Sequence, residues 1–321
     1  MKSLMTIVVP CYNEEEVLPL FMKAITRVRE KLASDAYGCL TELIFIDDGS
    51  KDGTLNLLRK YNSEDPSVRY ISFSRNFGKE AGIYAGLKES KGDYTVLLDA
   101  DLQHPVEYII TMYEKLTEKD PGSAYERRYD SVAMYRADRK GENRFRSFFS
   151  KRFYRIINRL SKINLVDGAT DYRMMSRQMV NAVLSMEEYN RFTKGIFNWV
   201  GFETLWLPYS NVERGAGSSK WTFGSLIKYS LEGMFAFSTT PLTISFIFGL
   251  IFCLIAMIFA VYVVIKTIIW GDPVAGFPTL FCIITFFGGI QLLFLGHFGQ
   301  YLSKMYLEVK KRPKYIIKEQ R

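Results

Sequence analysis

Apolar and polar positions alternate along the first hundred residues in a pattern that predicts strands and helices in turn. Four short apolar runs have the composition of buried strands: residues 5–10, 43–46, 68–73 and 94–98. Three segments between them have helical periodicity: residues 15–32, 54–61 and 79–90. Strands that alternate with helices favour a mostly parallel sheet covered on both faces, so we predict an α/β fold.

The pattern changes near the end of the chain, where residues 239–303 contain only two charged residues, Lys266 and Asp272. A helix needs about 20 apolar residues to cross a bilayer. We therefore predict two transmembrane helices, at about 241–265 and 277–301. The preceding residues, 222–238, have an amphipathic pattern that fits two interpretations equally: a helix in the membrane interface or an ordinary packing helix.

Composition and charge sharpen this division of the chain. The 321 residues are 48% hydrophobic with a net charge of +8, but the separation into a charged part and an uncharged part excludes a purely soluble enzyme and a disordered protein. The four cysteines have no paired spacing, which excludes a disulfide-stapled secreted module. Because there are also only two histidines, we do not expect a zinc site.

The last 18 residues, 304–321, carry seven basic and two acidic side chains. Basic residues that follow an apolar span are typical of a cytoplasmic end. Two crossings return the chain to the side that it left, so we expect the N-terminal part and the C-terminus to share the cytoplasmic side. The position of this tail beside the membrane favours anionic lipid head groups, and not nucleic acid, as its partner.

Polar residues follow the predicted strands at the edge where α/β sheets bind ligands. Asp99 and Asp101 come after the fourth strand, and such a pair suits Mg²⁺, which takes one or two carboxylates and fills its shell with phosphate oxygens and water. Tyr12, Glu14 and Asp48 follow the first two strands and suit a nucleobase. The absence of Gly-x-Gly-x-x-Gly and of a P-loop motif argues against a dinucleotide oxidoreductase and a P-loop nucleotidase.

Four motifs taken in order resemble family 2 glycosyltransferases of the GT-A fold: Val-Val-Pro-Cys-Tyr-Asn-Glu-Glu at 8–15, Asp-Asp-Gly-Ser-Lys-Asp at 47–52, Ser-Arg-Asn-Phe-Gly-Lys-Glu at 74–80 and Leu-Asp-Ala-Asp-Leu-Gln at 98–103. Three later motifs, at 168–173, 190–195 and 214–220, resemble the polyprenyl-phosphate glycosyltransferases. The chain is most similar to the bactoprenol glucosyltransferase subgroup, which is related to dolichol-phosphate mannose synthase. The resemblance covers essentially the whole chain.

The resemblance implies a Rossmann-like, mostly parallel GT-A domain followed by membrane-associated segments. The implied divisions are 1–215 for the glycosyltransferase domain, 216–238 for a juxtamembrane amphipathic helix region, 239–303 for the two transmembrane helices and 304–321 for a basic cytoplasmic tail. The chain departs from the family pattern around 119–135, where residues 120–129 have the character of an insertion.

The resemblance also assigns roles to individual residues. The nucleotide sugar would lie against Pro10, Tyr12, Glu14, Ile46, Asp48, Asp99 and Gln103. A Mg²⁺ or Mn²⁺ ion would be bound by Asp99, Asp101 and Gln103. The acceptor phosphate would contact Arg136, Arg146 and Ser150. The catalytic set would comprise Asp101, Asp171, Arg214 and Lys220, with Arg214 and Lys220 closing over the donor diphosphate.

Several of these roles have a simpler alternative. Asp171 fits a catalytic base and, equally, a structural partner of Arg173. Arg136 and Arg146 belong to a broadly basic segment that a membrane-proximal face would explain as well. Lys79 could neutralise a phosphate, or it could simply begin a helix.

The implied activity is inverting transfer of a hexosyl group, in the first instance glucose from UDP-glucose, to undecaprenyl or another polyprenyl phosphate at the cell membrane. The product would donate sugar to a cell-envelope glycan, which requires a separate flippase and a downstream glycosyltransferase; a homo-oligomer is also expected. UDP-GlcNAc, UDP-galactose and GDP-mannose remain alternative donors.

Two other kinds of protein fit the sequence less well. A processive polysaccharide synthase is disfavoured because no Gln-x-x-Arg-Trp motif is present. A non-catalytic membrane scaffold or sugar-nucleotide sensor is the alternative of a different class, and the intact Asp99 and Asp101 pair disfavours it.

Overall fold

A computed structural model of the chain describes residues 2–118, 128–137, 166, 168–209, 240–270 and 276–321. The described strands form one sheet of eight in the order β7-β5-β6-β4-β1-β2-β3-β8. Their bounds are β1 Ser3–Cys11, β2 Cys39–Asp47, β3 Val68–Phe73, β4 Tyr94–Leu97, β5 Ser131–Arg136, β6 Ala169–Ser176, β7 Thr204–Tyr209 and β8 Ile317–Gln320. The predicted segment 216–238 lies outside the described residues.

The centre of the sheet is the parallel block that the hydrophobic pattern predicts. Strand β1 pairs in parallel with β2 and with β4, and β2 pairs in parallel with β3. The helices between these strands are α1 Leu18–Ala33, α2 Thr54–Glu64 and α3 Lys79–Glu89, and α4 Tyr108–Thr117 follows β4. The carboxyl ends of β1 to β4 therefore meet at one edge, and the α/β prediction is confirmed.

The other half of the sheet introduces an antiparallel strand into the mostly parallel sheet that the sequence predicts. Strand β6 runs antiparallel to both β4 and β5, while β5 and β7 are parallel to each other. Two short helices follow β6, α5 Arg177–Ser185 and α6 Thr193–Trp199. Residues 131–136, for which the sequence pattern predicted no strand, form the largely buried strand β5. The fold is therefore a mixed α/β sheet of the GT-A type.

Helix α3 packs unusually close to the sheet at Gly86, while Gly82 one turn earlier faces the sheet at ordinary contact distance. A Cβ atom at Gly86 would lie 2.1 Å from Val8 Cγ1, which no ordinary contact allows. At Gly82 a Cβ would lie 3.5 Å from Pro10 Cβ and 3.7 Å from Ile46 Cγ2. This close packing fixes the beginning of α3, at Lys79, above the carboxyl ends of β1 and β2.

The two apolar segments form long helices, α7 Thr240–Trp270 and α8 Phe277–Val309. Large apolar side chains on both are exposed, among them Ile268 and Leu292 at 78% and 71%. The two predicted transmembrane segments fall on these helices. Within the described part of the chain, however, no helix has the length and apolar character that crossing a membrane requires.

The last residues return to the sheet, although their charge alone suggested a tail on the membrane surface. Strand β8 pairs antiparallel with β3 at the sheet edge. Glu319 accepts hydrogen bonds from Arg59 Nε at 3.0 Å and Nη2 at 2.5 Å, and from the Tyr70 hydroxyl at 2.5 Å. Just before β8, the Tyr315 ring stacks on Phe73 at 4.8 Å. The chain end is thus part of the folded domain.

These contacts predict that Glu319→Ala destabilises the domain. The change removes the hydrogen bonds that Arg59 and Tyr70 donate to Glu319, and because Arg59 is half exposed and partly screened by water, we expect a modest loss of stability. For a domain of this size that lowers the melting temperature by about 2–4 °C per kcal/mol. A melting curve of the full chain measures it, with Lys318→Ala on the same strand as the matched control. Equal melting temperatures for the two variants would contradict the assigned role of β8.

Candidate active site

The loops after β2 and β3 are tied together by Asp48, a buried residue just beyond β2. Its two carboxylate oxygens accept the backbone N–H groups of Phe77 at 2.6 Å and Gly78 at 2.9 Å. Burial raises the pKa of Asp48 and the two N–H donors partly offset this. Asp48, predicted to contact the nucleoside, therefore also sets the position of the chain immediately before α3.

The remaining residues of the predicted nucleoside site lie around the ends of β1 and β2. Pro10 pairs with Ile46 across the two strands. Beyond β1, Asn13 has a positive φ of 54°, and its side-chain oxygen accepts the Lys51 N–H at 2.9 Å. The Glu14 N–H donates to Thr54 Oγ1 at 2.9 Å. Partly exposed Tyr12 lies in this same turn, so the structure brings the predicted nucleoside residues to one edge.

The register of β6 against β4 brings the two most important predicted carboxylates together. Leu97 pairs with Arg173 in this antiparallel ladder. Asp99 follows Leu97 by two residues and Asp171 precedes Arg173 by two, so the antiparallel direction brings both carboxylates to the same Lys79 ammonium. The Lys79 ammonium lies between them, with Nζ 2.8 Å from each Asp99 carboxylate oxygen and 2.7 Å from Asp171 Oδ2. Three elements that are distant in sequence thus meet at one nitrogen atom.

The contacts among Lys79, Asp99 and Asp171 determine the protonation states of Lys79 and Asp171. Burial opposes ionisation of Asp171, but Lys79 and then Lys194 outweigh it and hold the pKa of Asp171 well below its ordinary value. The same carboxylates overcome the effect of burial on Lys79 and raise the pKa of its ammonium. Asp171 is therefore a stable anion and a weak proton acceptor. Its partner is Lys79, while Arg173 lies 3.8 Å over the Phe197 ring.

The donor set beyond β4 suits a divalent cation. Asp101 Oδ1 accepts the Gln103 N–H at 3.1 Å, which forms a tight turn at Leu102 with a positive φ of 56°. Asp99 already holds one cation, the Lys79 ammonium, which shows that its oxygens face the site. Two carboxylates and an amide oxygen leave room for the diphosphate and water oxygens that Mg²⁺ or Mn²⁺ requires. In the described residues, no group of three or more His, Cys, Asp or Glu side chains is arranged to hold a metal.

One predicted acceptor residue is described, and it lies on the same edge. Arg136 ends β5, pairs with Tyr209 of β7, and its N–H donates to Gly168 O at 3.0 Å. Gly168 has a φ of 78°, and a Cβ there would lie 2.9 Å from Arg136 O, so the approach requires glycine. Arg146, Ser150, Arg214 and Lys220 lie outside the described residues.

Sequence reasoning did not assign several polar residues that the structure places near the predicted site. Lys79 was left between two interpretations, and its partners are 20 and 92 residues away along the chain. Lys194 donates to Ala169 O at 3.1 Å, close to Asp171. His104, 7% exposed, lies between the rings of Tyr172 and Tyr209. Lys79 and Lys194 lie inside the family-like motifs at 74–80 and 190–195, and this position was the sequence feature that could have marked them as site residues.

Glu80 connects α3 with the beginning of α6. Its Oε2 atom accepts hydrogen bonds from both the N–H, at 3.0 Å, and the hydroxyl of Thr193. Burial raises the pKa of Glu80 to about 7, and the nearby Asp171 charge adds to this while the Thr193 bonds oppose it. Because both donors use one oxygen, the other oxygen can carry a proton without loss of either bond.

The sheet and the carboxylate site define a GT-A-type glycosyltransferase, and comparison with known proteins identifies the family. The sequence profile of Glycosyl transferase family 2 matches residues 6–184. The chain is 40% identical over 318 residues to the glycosyltransferase CsbB of Bacillus subtilis (strain 168). The alignment covers 99% of this chain and 92% of that protein. The chain belongs to glycosyltransferase family 2 and is a glycosyltransferase.

Two further proteins extend the comparison. The SfII prophage-derived bactoprenol glucosyl transferase of Shigella flexneri is 38% identical over 314 residues, 98% of this chain and 97% of that protein. Among solved structures, glucosyl-3-phosphoglycerate synthase from Mycobacterium tuberculosis, in complex with Mn²⁺, UDP-glucose and phosphoglyceric acid, aligns with 73% of this chain and 78% of its own. The TM-score is 0.45 and the sequence identity 15%.

The elevated pKa of Glu80 predicts a specific pH dependence of stability. Since the folded-state pKa, about 7, lies above the ordinary value of 4.5, the folded state holds this proton more tightly than the unfolded state does. The contribution is complete below pH 4.5 and is lost as the pH rises through 7. Glu80→Gln keeps both Thr193 bonds and removes the titration, so its stability relative to wild type should be greater at pH 8 than at pH 5.

Unfolding curves of the full chain at these two pH values measure this difference. Glu30→Gln, on the exposed face of α1, is the control and should follow the wild-type curve. If the Glu80→Gln and wild-type stabilities change in parallel with pH, Glu80 does not carry the proton.

Proposed function

We propose that the protein transfers glucose from UDP-glucose to undecaprenyl or another polyprenyl phosphate, with inversion at the anomeric carbon. The observation that carries this proposal is the convergence of Asp99, Lys79 and Asp171 beside the predicted nucleoside residues. The bactoprenol glucosyl transferase name of a relative aligned over nearly the full chain supports the acceptor and the sugar.

A phosphate acceptor suits the electrostatics of the site. A lipid phosphate is already an anion near neutral pH and attacks without losing a further proton, so a strong base is not required. Asp171, whose ion pair makes it a weak base, then acts by placing charge beside the sugar. Catalysis in this scheme rests on positioning and on stabilisation of the departing diphosphate.

Each part of the site has a task in the single displacement. Pro10, Tyr12 and Ile46 hold the nucleoside, and Asp48 fixes the loop that leads to Lys79. Mg²⁺ or Mn²⁺ held by Asp99, Asp101 and Gln103 would supply positive charge at the diphosphate. Arg136 would hold the acceptor phosphate opposite the leaving group. Outside the described residues, Arg146 and Ser150 would share that task, and Arg214 and Lys220 would close over the donor.

We also propose that the protein lies at the cell membrane with the catalytic domain and C-terminus on the cytoplasmic side. The support is the near absence of charge over residues 239–303 and the exposed apolar side chains of α7 and α8. A site beside the bilayer would let the phosphate head of the acceptor reach a water-soluble donor. The lipid product would then need a separate flippase and a downstream glycosyltransferase.

The test is transfer by the purified full chain. The protein is incubated with undecaprenyl phosphate, Mg²⁺ and, in parallel, UDP-glucose, UDP-GlcNAc, UDP-galactose or GDP-mannose, and the lipid is analysed by mass spectrometry. Addition of one hexose from UDP-glucose is expected. Transfer from another donor alone would overturn the choice of sugar, and loss of UDP-glucose without a lipid product would overturn the acceptor.

Asp101→Asn should lower turnover by about two to three orders of magnitude, because the charge that holds the cation on the departing diphosphate is lost. The same mass analysis under saturating Mg²⁺ measures the rate. Asp35→Asn, an exposed carboxylate after α1, is the matched control and should keep the wild-type rate. Near-normal turnover of the Asp101 variant would remove this residue from the metal site.

A further inference from the structure

Lys79 occupies an unusual place for a residue that simply begins a helix. Its Nζ atom lies 2.8 Å from both oxygens of Asp99. It also lies 2.7 Å from Asp171. The side chain is 43% exposed, whereas Asp99 and Asp171 are 26% and 15% exposed. The ammonium thus enters the site from the solvent side.

The backbone of Lys79 is held firmly while its side chain has room to move. Asp48 binds the two preceding residues through their N–H groups, and Gly86 lets α3 pack closely against Val8 of the sheet. The side chain itself is a flexible four-carbon stem with a point charge at its end. Such a side chain can leave one carboxylate and keep the other without any change in the fold.

The charges explain why a cation is required at this point before substrate arrives. Asp99 and Asp171 share the same Nζ atom, so the two carboxylates are near neighbours whose repulsion the Lys79 ammonium offsets directly. A divalent cation on Asp99 and Asp101 would neutralise the charge of Asp99, so Asp99 would no longer require the Lys79 ammonium. Asp171 would still require it. The two cations therefore compete for Asp99 alone.

We propose that Lys79 is a positioning residue of the metal site, which occupies Asp99 in the absence of donor and yields it to the divalent cation that arrives with the nucleotide diphosphate. Lys79 then remains on Asp171 and directs its ammonium toward the donor side of the site. The consequence is ordered loading, because the metal alone has to displace a charged side chain, whereas the metal with a diphosphate brings its own compensating anion. This proposal rests on the proposed metal-dependent function.

Direct measurement of Mn²⁺ binding tests this proposal without any transfer reaction. The full chain in detergent is titrated with Mn²⁺, and free Mn²⁺ is followed by electron paramagnetic resonance, first without nucleotide and then with UDP. Lys79→Met should bind Mn²⁺ without UDP at least about tenfold more tightly than wild type, since a positive charge beside the site is removed. The gain in affinity on adding UDP should be correspondingly smaller in this variant.

Two variants serve as controls. Lys79→Arg keeps the charge and should retain the weak wild-type affinity for Mn²⁺ alone. Lys88→Met, on the exposed face at the end of α3, removes a charge outside the site and should also behave as wild type. Melting curves of all variants verify folding, and if the Met variant is unstable, Lys79→Gln replaces it in the same titration.

Affinity for Mn²⁺ that is unchanged or weaker in both uncharged variants would overturn the proposal. Asp101→Asn separates this failure from failure of the proposed function. It should abolish Mn²⁺ binding with and without UDP, and Mn²⁺ binding that survives this change would overturn the metal site itself. A different sugar or acceptor in the transfer assay would leave the Mn²⁺ result unaffected.

Discussion

The antiparallel pairing of β6 with β4 is the constraint on which the active site depends. In the parallel block, every strand delivers the residues that follow it to the ligand edge. A parallel neighbour of β4 would place its first residues at the opposite edge of the sheet. Because β6 is antiparallel, its beginning lies beside the end of β4, and Asp171 comes to face Asp99. The reversal in strand direction is therefore what places a second carboxylate beside Asp99.

Placing Asp99 beside Asp171 requires a positive charge nearby, and other parts of the fold provide it. Two neighbouring carboxylates, partly withdrawn from water, need a positive charge, and Lys79 supplies it from the beginning of α3. The position of Lys79 depends in turn on Gly86, where any side chain would collide with Val8 and keep α3 from the sheet. It depends also on Asp48, which binds the backbone ahead of the helix. A carboxylate predicted to contact the nucleoside thus has a second, structural task.

The sequence allowed prediction of the parallel block because each strand there is a continuous apolar run bounded by polar turns. Strands β5 and β6 were not predicted, because charged residues such as Arg136, Asp171 and Arg173 interrupt the apolar pattern by which a buried strand is recognised. Strand β8 is short and largely exposed, so its residues have the composition of a solvated tail. The residues around Lys79 in the sequence do not reveal its ion pairs, because Asp99 and Asp171 become its neighbours only when the sheet forms.

The return of the chain end to the sheet gives the catalytic domain a second connection to the apolar helices. At the end of α8, Glu308 accepts the N–H of Tyr189 at 2.8 Å, and β8 then pairs with β3. The loop held by Glu308 leads to Thr193, which binds Glu80, the residue next to Lys79. If α7 and α8 lie in a bilayer as proposed, these contacts restrict how far the site can move from the lipid surface. An enzyme that joins a soluble donor to a lipid phosphate requires that restriction, because the acceptor tail cannot leave the membrane to reach a distant site.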